Sequence, residues 1–170
     1  MSAAHRLTKR SKVSAGLLMF RSRNSQLELL LVHPGGPFFA RKDEGAWTIP
    51  KGEAQPNEDL LTRARIEFKE ELGIQPNGKW ISLGAIKQAG GKTVHAWAFE
   101  GDLPEGFELR SNFFEMEWPP RSGKRAMFPE IDRAIFFRER AARQKINAAQ
   151  EAFVDRLRDV TRQDARAARR

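Results

Sequence analysis

Three glutamates, Glu67, Glu70 and Glu71, stand at i, i+3 and i+4 within GEAQPNEDLLTRARIEFKEELGI, residues 52–74. On a helix this spacing projects all three carboxylates from one side. Like charges stacked in this way repel by about a few tenths of a kcal/mol per pair on an open helix. Stability alone does not account for them. A cluster of hard oxygen ligands makes sense as the holder of a divalent cation such as Mg²⁺. Gly52 lies just ahead of the cluster. A glycine lets backbone come close to a ligand, so a carbonyl there can add another oxygen.

Such a cluster needs a rigid helix beneath it. Asn57 is a suitable N-cap, Glu58 and Asp59 put acids in the first turn, and Gly73 is placed for a C-terminal stop. Projected at about 100° per residue, Leu61, Ala64, Phe68 and Leu72 fall on one side and the glutamates on the side next to it. The apolar side fixes the helix to a sheet, and the acidic side then faces a cleft. Arg63 falls within the acidic face, four residues before Glu67. Ile66 lies on its flank, and Arg65 points elsewhere.

Strands are expected at residues 13–21, 27–33, 80–88, 92–100, 112–118 and 133–137, with a shorter piece at 47–50. The segments 80–88 and 92–100 flank Ala89-Gly90-Gly91 and read as a hairpin. PGGPFFARKDEGAW reads as a loop, and RSGKR as a basic loop. From Arg138 the chain reads as helical. Asn147 and Gln150 suggest a capping box, and Phe153, Leu157 and Val160 face the core. Mixed strands and helices, with hairpins among the strands, place the chain in the α/β (α+β) class, with a mixed β-sheet covered by helices on both faces. A single domain over residues 13–161 is expected, with a basic tail at 1–12 and a polar, fraying tail at 162–170.

The net charge of +8 sits at the two ends. Residues 1–12 carry four Lys/Arg and no acid; residues 133–170 carry eleven Lys/Arg against five acids. A solvated helix face explains this more simply than nucleic-acid binding, because no aromatic residues are interleaved with the charges. The chain has no cysteine, which excludes disulfides and thiolate chemistry. No apolar run is long enough to span a membrane, and no apolar signal core follows the basic start, so a cytoplasmic location is expected.

The 52–74 segment resembles the signature of the Nudix hydrolases: Gly, five residues, Glu, seven residues, then Arg-Glu-apolar-any-Glu-Glu-any-Gly-apolar. Gly52, Glu58, Glu67, Phe68, Glu70, Glu71, Gly73 and Ile74 match it in spacing and type. The wider chain, with HPGGPFFARKDEGAWTIPKGE and FEMEWPPRSGK, is similar to a bacterial subgroup of predicted NTP pyrophosphohydrolases. The resemblance implies an α/β/α sandwich and hydrolysis of a pyrophosphate bond in a nucleoside diphosphate derivative. NTPs and dinucleoside polyphosphates are the first substrates to try, and Mg²⁺ or Mn²⁺ is the cofactor. It implies that Gly52 (through its carbonyl), Glu67 and Glu71 ligate metal, with Glu70 as a further ligand.

The family has an arginine where this chain has Ile66. That departure opens a second reading, a Nudix-fold nucleotide sensor with weakened turnover, unless Arg63 substitutes. The basic ends motivate a third, an RNA-end pyrophosphohydrolase. Some family members take a base from outside the helix; Glu117, with Glu115 on the same strand face, is the candidate. Lys51, Arg41 and Arg63 are the leading substrate-binding cations, followed by Lys42, Arg121, Lys124 and Arg125. Phe38, Phe39 and Trp47 are candidates for stacking a base. His33 and His95 are read as packed or solvent-facing strand residues, and His5 as part of the tail. A nucleotide or other diphosphate compound is the expected partner. The oligomeric state is left open, a homodimer included.

Overall fold

The computed structural model describes residues 12–170; His5 and all but Lys12 of the basic N-terminal segment lie outside the described residues. Strands β1 (Val13–Arg23) and β2 (Gln26–Pro34) form an antiparallel hairpin. Its two turn residues, Asn24 and Ser25, both take positive φ, as the favoured two-residue hairpin turn requires. Strand β5 (Lys92–Glu100) lies parallel to β1, and β4 (Ile81–Gln88) antiparallel to β5, so the expected hairpin forms. Strand β8 (Ile131–Arg138) closes the other edge against β2, giving the order β4-β5-β1-β2-β8. Short β3 (Lys51–Glu53) pairs off this path with the start of β1.

The sheet is buried on both faces. In β1, Ala15, Leu17 and Met19 pack toward α1 (Leu60–Leu72) with Ala64, Phe68 and Leu72. The alternate residues Leu18 and Phe20 pack toward α2 (Glu139–Lys145) and α3 (Glu151–Ala167), with Ala142, Phe153, Val154 and Leu157. This period of two, with both sides apolar, explains why β1 reads as a nearly continuous apolar run. The expected α/β/α sandwich with a mixed sheet is the observed architecture.

Several local expectations give way. The N-cap of α1 is Asp59, whose Oδ2 accepts from the Thr62 N–H at 2.9 Å. Asn57 sits at φ 64° in the preceding turn. Part of the basic RSGKR segment is strand: β6 (Phe113–Glu117) and β7 (Arg125–Pro129) make a separate two-stranded ribbon. Asn147 caps the turn before α3 by accepting from the Ala149 N–H, but Gln150 does not complete a capping box. Val154 is fully buried where Val160 is only partly so. The helix continues to Ala167, although residues 162–170 are exposed; alanines at 165 and 167 favour helix even without burial.

Gln150 has a larger task than capping. It is fully buried, and its Oε1 accepts from the Ile49 N–H at 3.0 Å. Its Nε2 donates to Thr48 Oγ1 and Gln88 Oε1. The segment it holds, Trp47–Pro50, also exchanges two backbone bonds with Val32, and the Leu17 N–H donates to the Pro50 carbonyl. A Cβ on Gly16 would stand 2.6 Å from that carbonyl oxygen, so only glycine admits this segment beside β1. These contacts deliver Lys51 and Gly52 to the base of α1.

Candidate active site

The Asp59 cap and the left-handed Gly73, whose N–H donates to the Lys69 carbonyl, bound α1 at its two ends. Phe68 and Leu72 seat the helix on the sheet, which turns Glu67 and Glu71 toward β3. The Glu71 carboxylate is buried and accepts from the Lys51 backbone N–H at 3.3 Å. The Glu67 carboxylate lies directly over Gly52. A Cβ there would be 1.9 Å from Glu67 Cδ and 2.2 Å from each carboxylate oxygen. Gly52 is therefore glycine because Glu67 fills the space of a side chain.

Burial pushes the Glu71 carboxyl up to about 8, and the neighbouring Glu67 charge adds to the shift while Lys51 opposes it. Glu67 is raised as well, first by burial and then by Glu70, with Arg63 pulling the other way. The Lys51 ammonium is lowered by burial and by Lys92, against the attraction of both glutamates. Two carboxyl groups held together out of water thus resist carrying two negative charges at once, and a cation between them would relieve that cost.

Arg63 is tied to this pair. Its Nη1 donates to Glu67 Oε1 at 3.2 Å, and its Nε donates to Glu58 Oε1 at 2.8 Å. Glu58 in turn accepts from the Gln55 N–H at 2.9 Å. Glu58 and Arg63 form a chain that orients Glu67. Ile66, at the family's arginine position, is 37% exposed and takes no part in it. Glu70 is exposed at the edge of the cluster, close enough for its charge to act on Glu67.

One acid near the cleft is not among the sequence candidates. Glu130 lies between β7 and β8, and its charge raises the carboxyls of both Glu67 and Glu71. Its N–H donates to the Asn112 carbonyl, and its own carbonyl accepts from the Gly35 N–H. No short-range spacing signals it, because it lies 59 residues beyond Glu71, behind a ribbon whose second strand the sequence does not announce. Glu117 stands on the exposed face of the β6–β7 ribbon opposite Arg125, and Glu115 pairs with Arg125 at 3.0 Å. Neither is among the charges acting on Glu67 or Glu71.

The remaining candidates spread out. Arg41 and Lys42 are exposed on the loop after β2, which is anchored to α2 through Gly45 N–H to the Gln144 carbonyl. Arg121 and Lys124 are exposed at the ribbon turn. Phe38 stands edge-on to Trp118 at 5.6 Å, Phe39 lies under the Lys42 ammonium, and Trp47 is buried against His33 and Phe137. His33 is fully buried between Asp132 and the Lys42 carbonyl, both at 2.7 Å. His95 is half-buried on β5 beside Lys12, Glu53 and Glu58.

Among the described residues, no three acidic or histidine side chains close into a ready-made metal cage. The donor set suits a cation that needs none. Mg²⁺ commonly takes one or two carboxylates and completes its shell with water and substrate phosphate. Glu67 and Glu71, under-compensated and pressed against the backbone of Lys51 and Gly52, fit that role.

The NUDIX domain family model matches residues 10–157. Among solved structures, the C. elegans Ap4A hydrolase in a binary complex is 20% identical with a TM-score of 0.62, covering 88% of this chain and 97% of that one. The NUDIX domain of Shewanella oneidensis NrtR, complexed with ADP ribose, is 14% identical with a TM-score of 0.64 and 94% coverage of each chain. The MutT protein from Methanosarcina mazei Go1 is 19% identical with a TM-score of 0.59, covering 91% and 98%. At these identities the structural likenesses speak for the fold. A comparison with curated proteins gave no match.

Proposed function

The chain belongs to the Nudix family of pyrophosphohydrolases, and on that premise we propose that it cleaves a pyrophosphate bond in a nucleoside triphosphate or dinucleoside polyphosphate. The observation that carries this reading is the packing of the Glu67 carboxylate on Gly52 beside buried Glu71. Nudix hydrolases in general use divalent metals such as Mg²⁺ or Mn²⁺. Here Glu67, Glu71, the Gly52 carbonyl and Glu70 would hold the ion, which when bound offsets phosphate charge and activates water.

The chain's own groups supply the rest. Arg63, braced by Glu58, fixes Glu67 in one orientation. The Lys51 backbone N–H fixes Glu71, and its ammonium offers positive charge to a phosphate oxygen. Glu130, the carboxylate outside the helix, takes the proton as the water oxygen bonds to phosphorus and the bridging P–O bond breaks. Glu117 is not assigned that role. Arg41 is not assigned a substrate contact. The Arg63–Glu67 contact supports an active enzyme over a silent sensor.

The test is a phosphate-release panel of NTPs, diadenosine polyphosphates, ADP-ribose and capped RNA, with Mg²⁺, Mn²⁺ or EDTA. Cation-dependent turnover of an NTP or diadenosine polyphosphate is the expected result. Nucleotide binding without turnover on any member would favour the sensor, and turnover confined to capped RNA the RNA-end reading.

A further inference from the structure

A groove of about 710 Å³ lies beside α1 and has Glu70 in its lining. Ile66, Arg65, Lys69, Arg110 and Asn112 line it as well. Three cations therefore face one carboxylate. None of the three forms an ion pair among the described residues, whereas Arg63 on the same helix is saturated by Glu58 and Glu67. The Arg65 Nε is buried without a hydrogen-bond partner, and its guanidinium sits 5.2 Å from the Trp80 ring. Arg110 is brought here because its backbone packs against Gly73, where α1 ends.

The charge changes sign around α1, from Glu67 and Glu71, past Glu70, to Lys69 and Arg65, with Arg110 beside the end of the helix. An arginine at position 66 would stand four residues before Glu70 and occupy the boundary. Ile66 leaves the groove open and apolar there. Guanidinium and ammonium groups without acidic partners suit a phosphate chain, with arginine matching two phosphate oxygens at once.

Building on the pyrophosphohydrolase reading, we infer that this groove is a subsite for phosphates beyond the scissile bond, with Arg110 and Lys69 as its main ligands. The subsite selects oligophosphate substrates over nucleotide sugars, whose two phosphates are both consumed at the cleavage point.

The direct test is calorimetric binding of inorganic tripolyphosphate in EDTA to the wild-type chain and to an Arg110→Ala/Lys69→Ala variant. The wild type should bind, and the variant should bind at least about tenfold more weakly. Absence of wild-type binding, or undiminished binding by the variant, overturns the assignment. Arg110→Lys keeps the charge and the packing against Gly73 but loses the two-oxygen match, so it should bind more weakly than the wild type and more tightly than Arg110→Ala; binding no tighter than Arg110→Ala assigns the loss to a disturbed helix end and also overturns it. In kinetics, Arg110→Ala should raise KM for ATP more than KM for ADP-ribose, with kcat for ATP nearly constant. Equal rises contradict the subsite. A wild-type chain that binds tripolyphosphate but turns over nothing would retain the groove while removing the enzymatic reading.

Discussion

Gly52 and Glu67 compete for one volume, and the glycine yields it. In Gly52→Ala the new methyl would overlap the Glu67 carboxylate, and the yielding group is the end of a side chain. We expect a stability loss of about 1–2 kcal/mol and a fall in kcat of roughly two orders of magnitude, because the displaced carboxylate no longer points into the cleft. Denaturant melts beside initial rates check this; full activity would show that the contact is incidental. Glu71 carries a second prediction, for the metal-free protein. Its folded-state pKa is raised to about 8 from 4.5, so the folded state holds its proton more tightly than the unfolded chain. Stability should therefore fall as pH rises from about 4.5 to 8 and then level, by an amount on the order of a few kcal/mol. Glu67 shifts in the same direction. Glu71→Gln should flatten the Tm–pH profile in EDTA; parallel profiles for the two proteins would contradict the burial argument.

At the scale of the element, we propose that Arg63, about one turn before the family's arginine position, takes over the task of orienting Glu67. Arg63 already holds Glu67 at 3.2 Å. We therefore expect Ile66→Arg to change kcat by less than about twofold, and Arg63→Ala to lower it by about tenfold or more, in line with a lost charge-assisted bond. A large gain from Ile66→Arg would mean that Arg63 does not substitute. This helix was also the most legible part of the chain. Its face assignments and the place of Arg63 follow from a period of 3.6 residues, and its Gly73 stop from glycine's ease at positive φ. Asp59 rather than Asn57 as cap is a choice between two good caps two residues apart, which short-range chemistry does not separate. The ribbon was legible only in part, because β7 begins within a run of Arg, Ser, Gly and Lys and takes its strand form from pairing with β6. With the ribbon half-read, Glu130 had no address.

Across the whole molecule, the sheet separates two apolar layers, and the candidate site hangs on ties between them. Strand alternation and helical periodicity announce both layers, so the sandwich could be read from the sequence. Gln150 could not: a glutamine at a helix start looks like a surface residue, yet it is buried and satisfies the Ile49 N–H, 101 residues away in the sequence. Removing it leaves buried backbone unpaired. Gln150→Ala should cost about 1–3 kcal/mol in denaturant melts and lower activity, since Trp47–Pro50 positions Lys51 and Gly52. A variant as stable as the wild type would show that water replaces the amide without loss.

The central claim is that Glu67 and Glu71 on Gly52 hold the cation that makes this chain a pyrophosphohydrolase. It is tested most directly by turnover of the best substrate in Mg²⁺ by the wild type and by Glu71→Gln, with melting curves alongside. The account predicts that the variant folds as well as the wild type and loses at least roughly two orders of magnitude in rate. A folded Glu71→Gln protein that hydrolyses the substrate at the wild-type rate would contradict it.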